Sequence, residues 1–332
     1  MEKFPARRPV TASEARDIIR SISNPVKETE LLSIENALHR VLAKDVLSPV
    51  NVPEANNSAM DGYALRHEDL QEDGSGVLTL AGESFAGHPF SGELSPGECI
   101  RIMTGAVVPN CCDTVIQQEL ASVSNAKVTF KPGISKGSNI RLKGEELAIG
   151  HSAISAGTRL TPAHIGLLAT LGIAEIEVYR KPLAAILSTG DELVSPLEAG
   201  NGLAHGQIYD ANSYSIAALA IQAGARILPR KIVRDNPSEL LSALEEAAQA
   251  DIIITSGGVS VGAADFTRFV AANKGRIFDW EIPMRPGRPM AAGIVAGKPL
   301  FCLPGNPVAA MVTFLEYVQA SIRRLGGESG NL

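Results

Sequence analysis

DIIITSGGVS, residues 251–260, is the stretch that decides the fold. Ile252, Ile253 and Ile254 form a β-branched apolar run bounded by Asp251 and by Gly257–Gly258. A short run of this kind that ends in glycines predicts a buried parallel strand opening into a loop. The glycines let the backbone turn sharply and let a ligand approach the main chain, and Ser256 and Ser260 add hydroxyls there. Ligands of open α/β sheets sit outside the carboxyl ends of the strands. Taken alone, the stretch fits an ordinary tight turn as well, so its surroundings decide.

On both sides of it, strand and helix patterns alternate from Leu183 onward. LAAILSTGDELV (183–194) is a strand running into a loop, followed by a helix near 212–223 and the extended ARILPRKIVRD (225–235). Asn236 is placed to cap the next helix, with Pro237 at its first position and Glu239 at its third. Beyond DIIITSGG come a helix near Asp265–Ala272, the strand RIFDWEIPM (276–284) and KPLFCLPGNP (298–307). A last helix starts at Asn306 (cap) and Pro307, with Val308, Met311, Val312, Leu315, Val318 and Ile322 as its apolar stripe. This alternation predicts a doubly wound α/β sheet for residues 181–332. The fold alone assigns no chemistry.

The first 180 residues read differently. TASEARDIIRSIS (11–23) is a helix opened by a Thr11/Glu14 capping box, with Ile18, Ile19 and Ile22 on one face. A second short helix is expected over Ser33–His39 and a strand over Val41–Val46. NVPEANNSAMDGYAL is rich in turn formers. Between about 64 and 130, the runs VLTL (77–80), ECIRIMTG (98–105), TVIQQE (114–119) and AKVTF (126–130) predict a small barrel-like β domain. Pro162–Leu171 is helical and Ala174–Tyr179 extended. This segment returns to the N-terminal helices, which makes the β domain (51–137) an insertion into an elongated mixed domain of 1–50 and 138–180.

Composition agrees with an α/β plus β, multi-domain chain. At 332 residues, two or three domains are expected at about 100–200 residues each. With 45% hydrophobic and 20% charged residues, the make-up is ordinary globular. A net charge of −6 argues against nucleic acid as the main partner. Cys99, Cys111, Cys112 and Cys302 have no CxxC spacing and read as reduced thiols of a cytoplasmic protein. MEKFPARRPV has no apolar core of signal-peptide length, and no run approaches the about 18 apolar residues of a membrane span. The six histidines are scattered, with no HExxH or paired spacing.

Three strands of the α/β region end in similar loops: STGDE (188–192), TSGGVS (255–260) and LPGNP (303–307). Ser188, Thr189, Gly190, Ser256, Gly257, Gly258, Ser260, Pro304, Gly305 and Asn306 offer hydroxyls, an amide and freed backbone N–H groups. Such loops beside helix starts favour phosphate or another anion. None is a Walker A loop or a GxGxxG fingerprint. In Arg285-Pro286-Gly287-Arg288-Pro289, two guanidiniums in a stiff loop form an oxyanion clamp or else a solvated basic turn. Asp191, Glu192, Asp235 and Asp265 lie at or near the same edge, and carboxylates beside phosphates suggest Mg²⁺. Any one of them could instead cap a helix, Asp235 above all. Thr104, in RIMTGAVVPN, is an exposed strand-end hydroxyl or a turn former.

SAMDGYA (58–64), RIMTGA (101–106), STGDEL (188–193), TSGGVSVG (255–262), RPGRP (285–289) and LPGNPV (303–308) occur in this order. Together they closely resemble the molybdopterin molybdenumtransferase family, to which the gephyrin E domain is similar, over nearly the whole chain. The resemblance implies adenylylated molybdopterin and molybdate as substrates, release of AMP and assistance by Mg²⁺. It also implies a homodimer in which Asp61 and Thr104 complete the α/β site of the partner subunit, and an adenylyltransferase as a possible partner protein. It places Asp61, Thr104, Asp191, Glu192, Asp235 and Asp265 in the functional cleft. Asp61, Thr104, Asp191, Asp265, Arg285 and Arg288 are then the catalytic group, and Asp61, Glu192, Asp235 and Asp265 the metal ligands. The family's KPGKP lysines are Arg285 and Arg288 here, and its GED is Gly144-Glu145-Glu146. The resemblance also implies, as in typical members, a further small β domain after the α/β domain, whereas this sequence runs to Leu332. Molybdopterin adenylylation, performed by a related α/β domain, and non-catalytic molybdopterin carriage are the alternative functions.

Overall fold

Strands Leu183–Thr189, Ile252–Ser256 and Lys298–Leu303 lie side by side and parallel in the middle of an eight-stranded sheet. The computed structural model describes residues 8–198, 200, 202–257, 275–281, 284–287 and 289–330. Across the sheet the order is Arg8–Pro9, Arg276–Glu281, Pro289–Val295, Lys298–Leu303, Ile252–Ser256, Leu183–Thr189 and Arg226–Ile227, with Lys231–Val233 also on Leu183–Thr189. The sheet is mixed, because Pro289–Val295 runs antiparallel to both of its neighbours.

Period-two alternation divides the strand side chains between two cores. Ala184, Ile186, Ile252, Ile254, Phe301 and Leu303 pack on one face with residues of α1 (Ala12–Ile22), α3 (Asn212–Ala223) and the last helix. Ala185, Leu187, Ile253, Leu300 and Cys302 pack on the other with Ala243, Leu244 and Ala247 of α4 (Pro237–Ala247). A run buried on both faces must be apolar throughout, which is why DIIIT shows no alternation. Helix starts follow the side-chain caps. Thr11 and Glu14 complete the capping box of α1, and the Asn236 side chain accepts from the Ser238 N–H at the start of α4. The short α2 (Pro162–Thr170) leads to the strand Glu175–Tyr179, which pairs antiparallel with Thr29–Ser33.

Two local expectations are corrected. Ser33–His39 is not a helix: Ser33 ends a strand, Ile34–Asn36 is a single 3-10 turn, and His39 has φ +64°. Val41 and Leu42 make only isolated bridges, and the strand is Val46–Leu47. The last helix is also phased differently. It runs as α5 (Pro307–Thr313), a π turn (Phe314–Val318) and α6 (Gln319–Leu325). The π turn stretches the repeat, so Ala309, Thr313, Tyr317, Ser321 and Leu325 are the buried row. Val318 and Ile322 are buried, but Val308, Met311 and Leu315 are 62%, 39% and 47% exposed. Leu315→Gln is therefore expected to shift stability by no more than about 0.5 kcal/mol in urea unfolding. A loss of about 2 kcal/mol would return Leu315 to the core.

The chain divides into two units: residues 1–44, 155–169 and 173–332, and residues 45–154 with 170–172. The second unit holds a six-stranded sheet in the order Thr114–Gln117, Gly62–Leu65, Glu98–Ile102, Gly76–Ser84, Lys127–Phe130, Ala121–Ser124. Tyr63, Leu65, Cys99 and Ile116 face one core, and Ala64, Ile100, Ile102 and Val115 the other. All four cysteines are free thiols, and burial, with the nearby Glu98 charge, pushes Cys99 up to about 12. Among the described residues, no helix is long and apolar enough to cross a membrane.

Candidate functional site

At the carboxyl edge of the three parallel strands the loops converge backbone to backbone. The Gly257 N–H donates to the Leu303 carbonyl at 3.3 Å, and the Gly190 N–H to the Val233 carbonyl at 3.1 Å. Gly257 has φ +80°, and a Cβ there would lie 2.6 Å from the Thr189 carbonyl oxygen, so only glycine fits. A Cβ on Gly305 would lie 3.6 Å from the Gly257 Cα, which sets the third loop against the second. The Asn306 side chain caps α5 by accepting from the Ala309 N–H at 3.2 Å. Ser188, Thr189 and Ser256 are buried. Their hydroxyls turn inward: Ser188 Oγ lies 3.4 Å from Ser256 Oγ, and Thr189 Oγ1 donates to the Ser256 carbonyl at 3.4 Å.

The acidic residues gather on one side of this edge. The Asp235 N–H donates to Asp191 Oδ1 at 3.2 Å, and Arg234 Nη1 to the Asp191 carbonyl at 2.7 Å. The Glu192 carboxylate folds back over Gly190, where a Cβ would meet its Oε2 at 2.6 Å. Asp191, Glu192 and Asp235 are all exposed hard oxygen donors, with Asp235 tied to Asp191 through its backbone N–H. Among the described residues no group of three or more His, Cys, Asp or Glu is placed so that it could hold a metal ion. Arg285 is exposed, and Gly287, two residues on, is pressed against Thr313 of α5, where a Cβ would come within 2.6 Å of Thr313 Cγ2. Gly258, Ser260, Asp265 and Arg288 lie outside the described residues.

Asp61 and Thr104 belong to the second unit, and there they meet. Asp61 Oδ1 accepts from the Thr104 hydroxyl at 2.6 Å and from the Thr104 N–H at 2.8 Å. Both bonds favour the ionised form, so Asp61 is held below its ordinary value; slight burial opposes this and the Arg101 charge adds to it. Asp61 therefore remains a carboxylate at neutral pH and cannot serve as a proton donor there. Arg101 is itself fixed, donating to Tyr63 Oη at 2.9 Å and to Gln118 Oε1 at 2.6 Å.

The structure thus brings Ser188, Thr189, Gly190, Ser256, Gly257, Pro304, Gly305 and Asn306 to one sheet edge and sets Asp191, Glu192 and Asp235 beside it. Asp210 and Asn212 reach the same loops although no motif named them: Ser188 Oγ donates to Asp210 Oδ1 at 3.0 Å, and Asn212 Nδ2 to the Gly305 carbonyl at 2.8 Å. A buried-side Asp-x-Asn at a helix start was their one trace in the sequence, and it reads as an ordinary cap.

Residues 10–172 match the MoeA N-terminal region (domain I and II), and residues 185–324 a probable molybdopterin binding domain. The molybdopterin molybdenumtransferase of Haemophilus influenzae is 44% identical over 303 residues, covering 91% of this chain and 74% of that protein. That of a Nostoc species is 40% identical over 91% of this chain and 70% of its own length. Among solved structures, the molybdopterin biosynthesis moeA protein of Pyrococcus horikoshii is 27% identical and superposes with a TM-score of 0.81 over 97% of this chain and 81% of its own. Motifs, fold and similarity agree: the chain belongs to the molybdopterin molybdenumtransferase family of molybdenum cofactor biosynthesis.

Proposed function

We propose that this protein inserts molybdenum from molybdate into adenylylated molybdopterin and releases AMP. The observation that carries the proposal is the convergence of three glycine-containing loops at one carboxyl edge of the α/β sheet, within the family's molybdopterin-binding region. Ser188, Thr189, Gly190, Ser256, Gly257, Gly258, Ser260, Pro304, Gly305 and Asn306 form the surface for the pterin and phosphates. Its polar contacts come from backbone groups, since the described serine hydroxyls are engaged inside. Arg285 and Arg288 attract molybdate as fixed cations. Asp61, held ionised by Thr104, and Asp191 and Asp265 orient the reacting oxyanions.

The Asp235 N–H ties that residue to the exposed Asp191 carboxylate, and Mg²⁺ is commonly held by one or two carboxylates with substrate phosphate oxygens. Glu192, Asp235, Asp265 and Asp61 would hold it, and when bound it neutralises phosphate charge. The same proposal includes a cytoplasmic homodimer in which Asp61 and Thr104 of one copy serve the partner's edge, and docking of the adenylyltransferase that supplies the substrate. It also includes the three-part division into an elongated domain (1–50, 138–180), a barrel-like insertion (51–137) and the α/β domain (181–332).

Incubation of the purified chain with adenylylated molybdopterin, molybdate and MgCl₂ is expected to release AMP and give molybdenum-loaded pterin. Asp61→Ala should lower kcat/KM at least about tenfold, because an anion fixed at the reacting group is lost. Product from molybdopterin and ATP instead would favour adenylylation, and tight binding with neither product would favour a carrier. Chelation of Mg²⁺ without any loss of AMP release would remove the metal from the proposal.

A further inference from the structure

We infer that Asp210 and Asn212 are positioning residues that lock the three loops of the α/β edge into one ligand surface. The inference rests on the proposed reaction. Both residues are nearly inaccessible, at 2% and 9% exposure, and among the described residues Asp210 is the one Asp or Glu buried to this degree. Asp210 Oδ1 accepts two bonds at 3.0 Å, one from the Ser188 hydroxyl and one from the Ser213 N–H at the start of α3. The first reaches the carboxyl end of strand Leu183–Thr189, where its loop begins, and the second anchors Asp210 to a helix.

The direction of these bonds has a consequence. A serine hydroxyl has one proton. That of Ser188 is committed to Asp210, so the 3.4 Å contact between Ser188 and Ser256 is donated by Ser256. A carboxylate, acceptor only, therefore orders two serines on two strands in a fixed sequence, Ser256 to Ser188 to Asp210. Neither serine proton remains for a phosphate.

Asn212 ties in the third loop. Its Nδ2 donates to the Gly305 carbonyl at 2.8 Å, while its Oδ1 is buried with no hydrogen-bond partner. The side chain makes no bond to the first turn of α3, so capping does not explain it. What it does is hold Gly305 against the helix, and Gly305 packs on Gly257. A surface built from backbone groups of three separate loops needs such fixing, because displacement by about 1 Å can cost on the order of 100-fold in rate.

Steady-state kinetics with adenylylated molybdopterin tests this. Asp210→Ala, Ser188→Ala and Asn212→Ala are each expected to raise KM about tenfold while kcat changes less than about threefold. Asp210→Asn keeps an oxygen for both donors and should recover most of the loss. Ser188→Ala leaves the Ser213 bond intact, so it should keep the wild-type melting temperature yet reproduce the KM change. The double variant Asp210→Ala/Ser188→Ala should be no worse in KM than Asp210→Ala, as coupled neighbours require. If Ser188→Ala and Asn212→Ala keep KM within about twofold while Asp210→Ala only melts earlier, Asp210 is a helix cap and the inference fails. A wild-type chain that inserts no molybdenum overturns the reaction instead. Calorimetric titration with AMP then decides the positioning role, and equal behaviour of wild type, Ser188→Ala and Asn212→Ala overturns it.

Discussion

Asp251→Ala is expected to lower stability by about 2–3 kcal/mol, short of the roughly 3–5 of a fully buried broken pair because the Asp251 side chain is 16% exposed. Asp251 closes the amino edge of the central strands. Its two oxygens take Arg180 Nη1 at 2.6 Å and Nη2 at 3.1 Å, and its Oδ2 takes the Leu183 N–H at 2.8 Å. Removing it leaves the half-buried Arg180 with the Glu28 contact at 3.2 Å and the Lys181 carbonyl at 3.2 Å, and the Leu183 N–H without its acceptor. Burial raises the Asp251 pKa, but the Arg180 and Leu183 bonds outweigh it and hold the group below its ordinary value. A depressed folded-state pKa stabilises above the unfolded-state value, about 3.9, and that contribution disappears as the pH falls through the folded value. The difference between wild type and Asp251→Ala in denaturant unfolding should therefore be full at pH 7 and shrink below about pH 4. A difference that grows in acid would mean that Asp251 is not held ionised by Arg180.

Gly62→Val should destabilise the second unit by at least about 3 kcal/mol, at the upper end of overpacking costs. Gly62 is hydrogen-bonded between two strands, facing Ile102 on one side and Gln117 on the other. A Cβ at this position would lie 1.9 Å from the Ile116 carbonyl oxygen, and no rotamer relieves a backbone clash. The neighbouring Asp61 accepts from the Gln118 N–H through its own carbonyl at 3.0 Å, so a strand pushed aside at Gly62 takes Asp61 with it. Thermal denaturation should show the loss in the transition of the second unit. An unchanged melt would mean that these strands do not pair as described.

What the sequence disclosed follows from how local each signal is. The DIIIT run, the caps at Thr11, Asn236 and Asn306, and the strand-loop alternation are set by neighbours a few residues apart, and they match the observed elements. The stripe on the last helix misled because a π turn shifts phase, and the small residues Ala309 and Ala310 carry the close approach to the sheet while Val308 and Leu315 face outward. Ser33–His39 misled because its apolar residues look helical while the preceding strand and the left-handed His39 leave room for one turn. At the site, three loops were legible from glycines and strand ends. The Asp61–Thr104 bond spans 43 residues of sequence; motif resemblance pointed to the two residues but not to the bond between them. Asp210 was invisible because a carboxylate before a helix ordinarily caps it, and its second bond, to Ser188, depends on a tertiary approach.

The strand Arg8–Pro9 adds to the main sheet beside Arg276–Glu281, so two segments far apart in sequence are stitched side by side. Residues 45–154, by contrast, form an almost continuous unit of their own. On a ribosome this unit has all but three of its residues in one run and can fold early, while strand Arg8–Pro9 must wait for Arg276–Glu281 to be made. Long-range pairing of this kind is slow and leaves an edge exposed in the meantime. The order of assembly is thus written into the topology: the inner segment first, and the sheet that carries the ligand edge last.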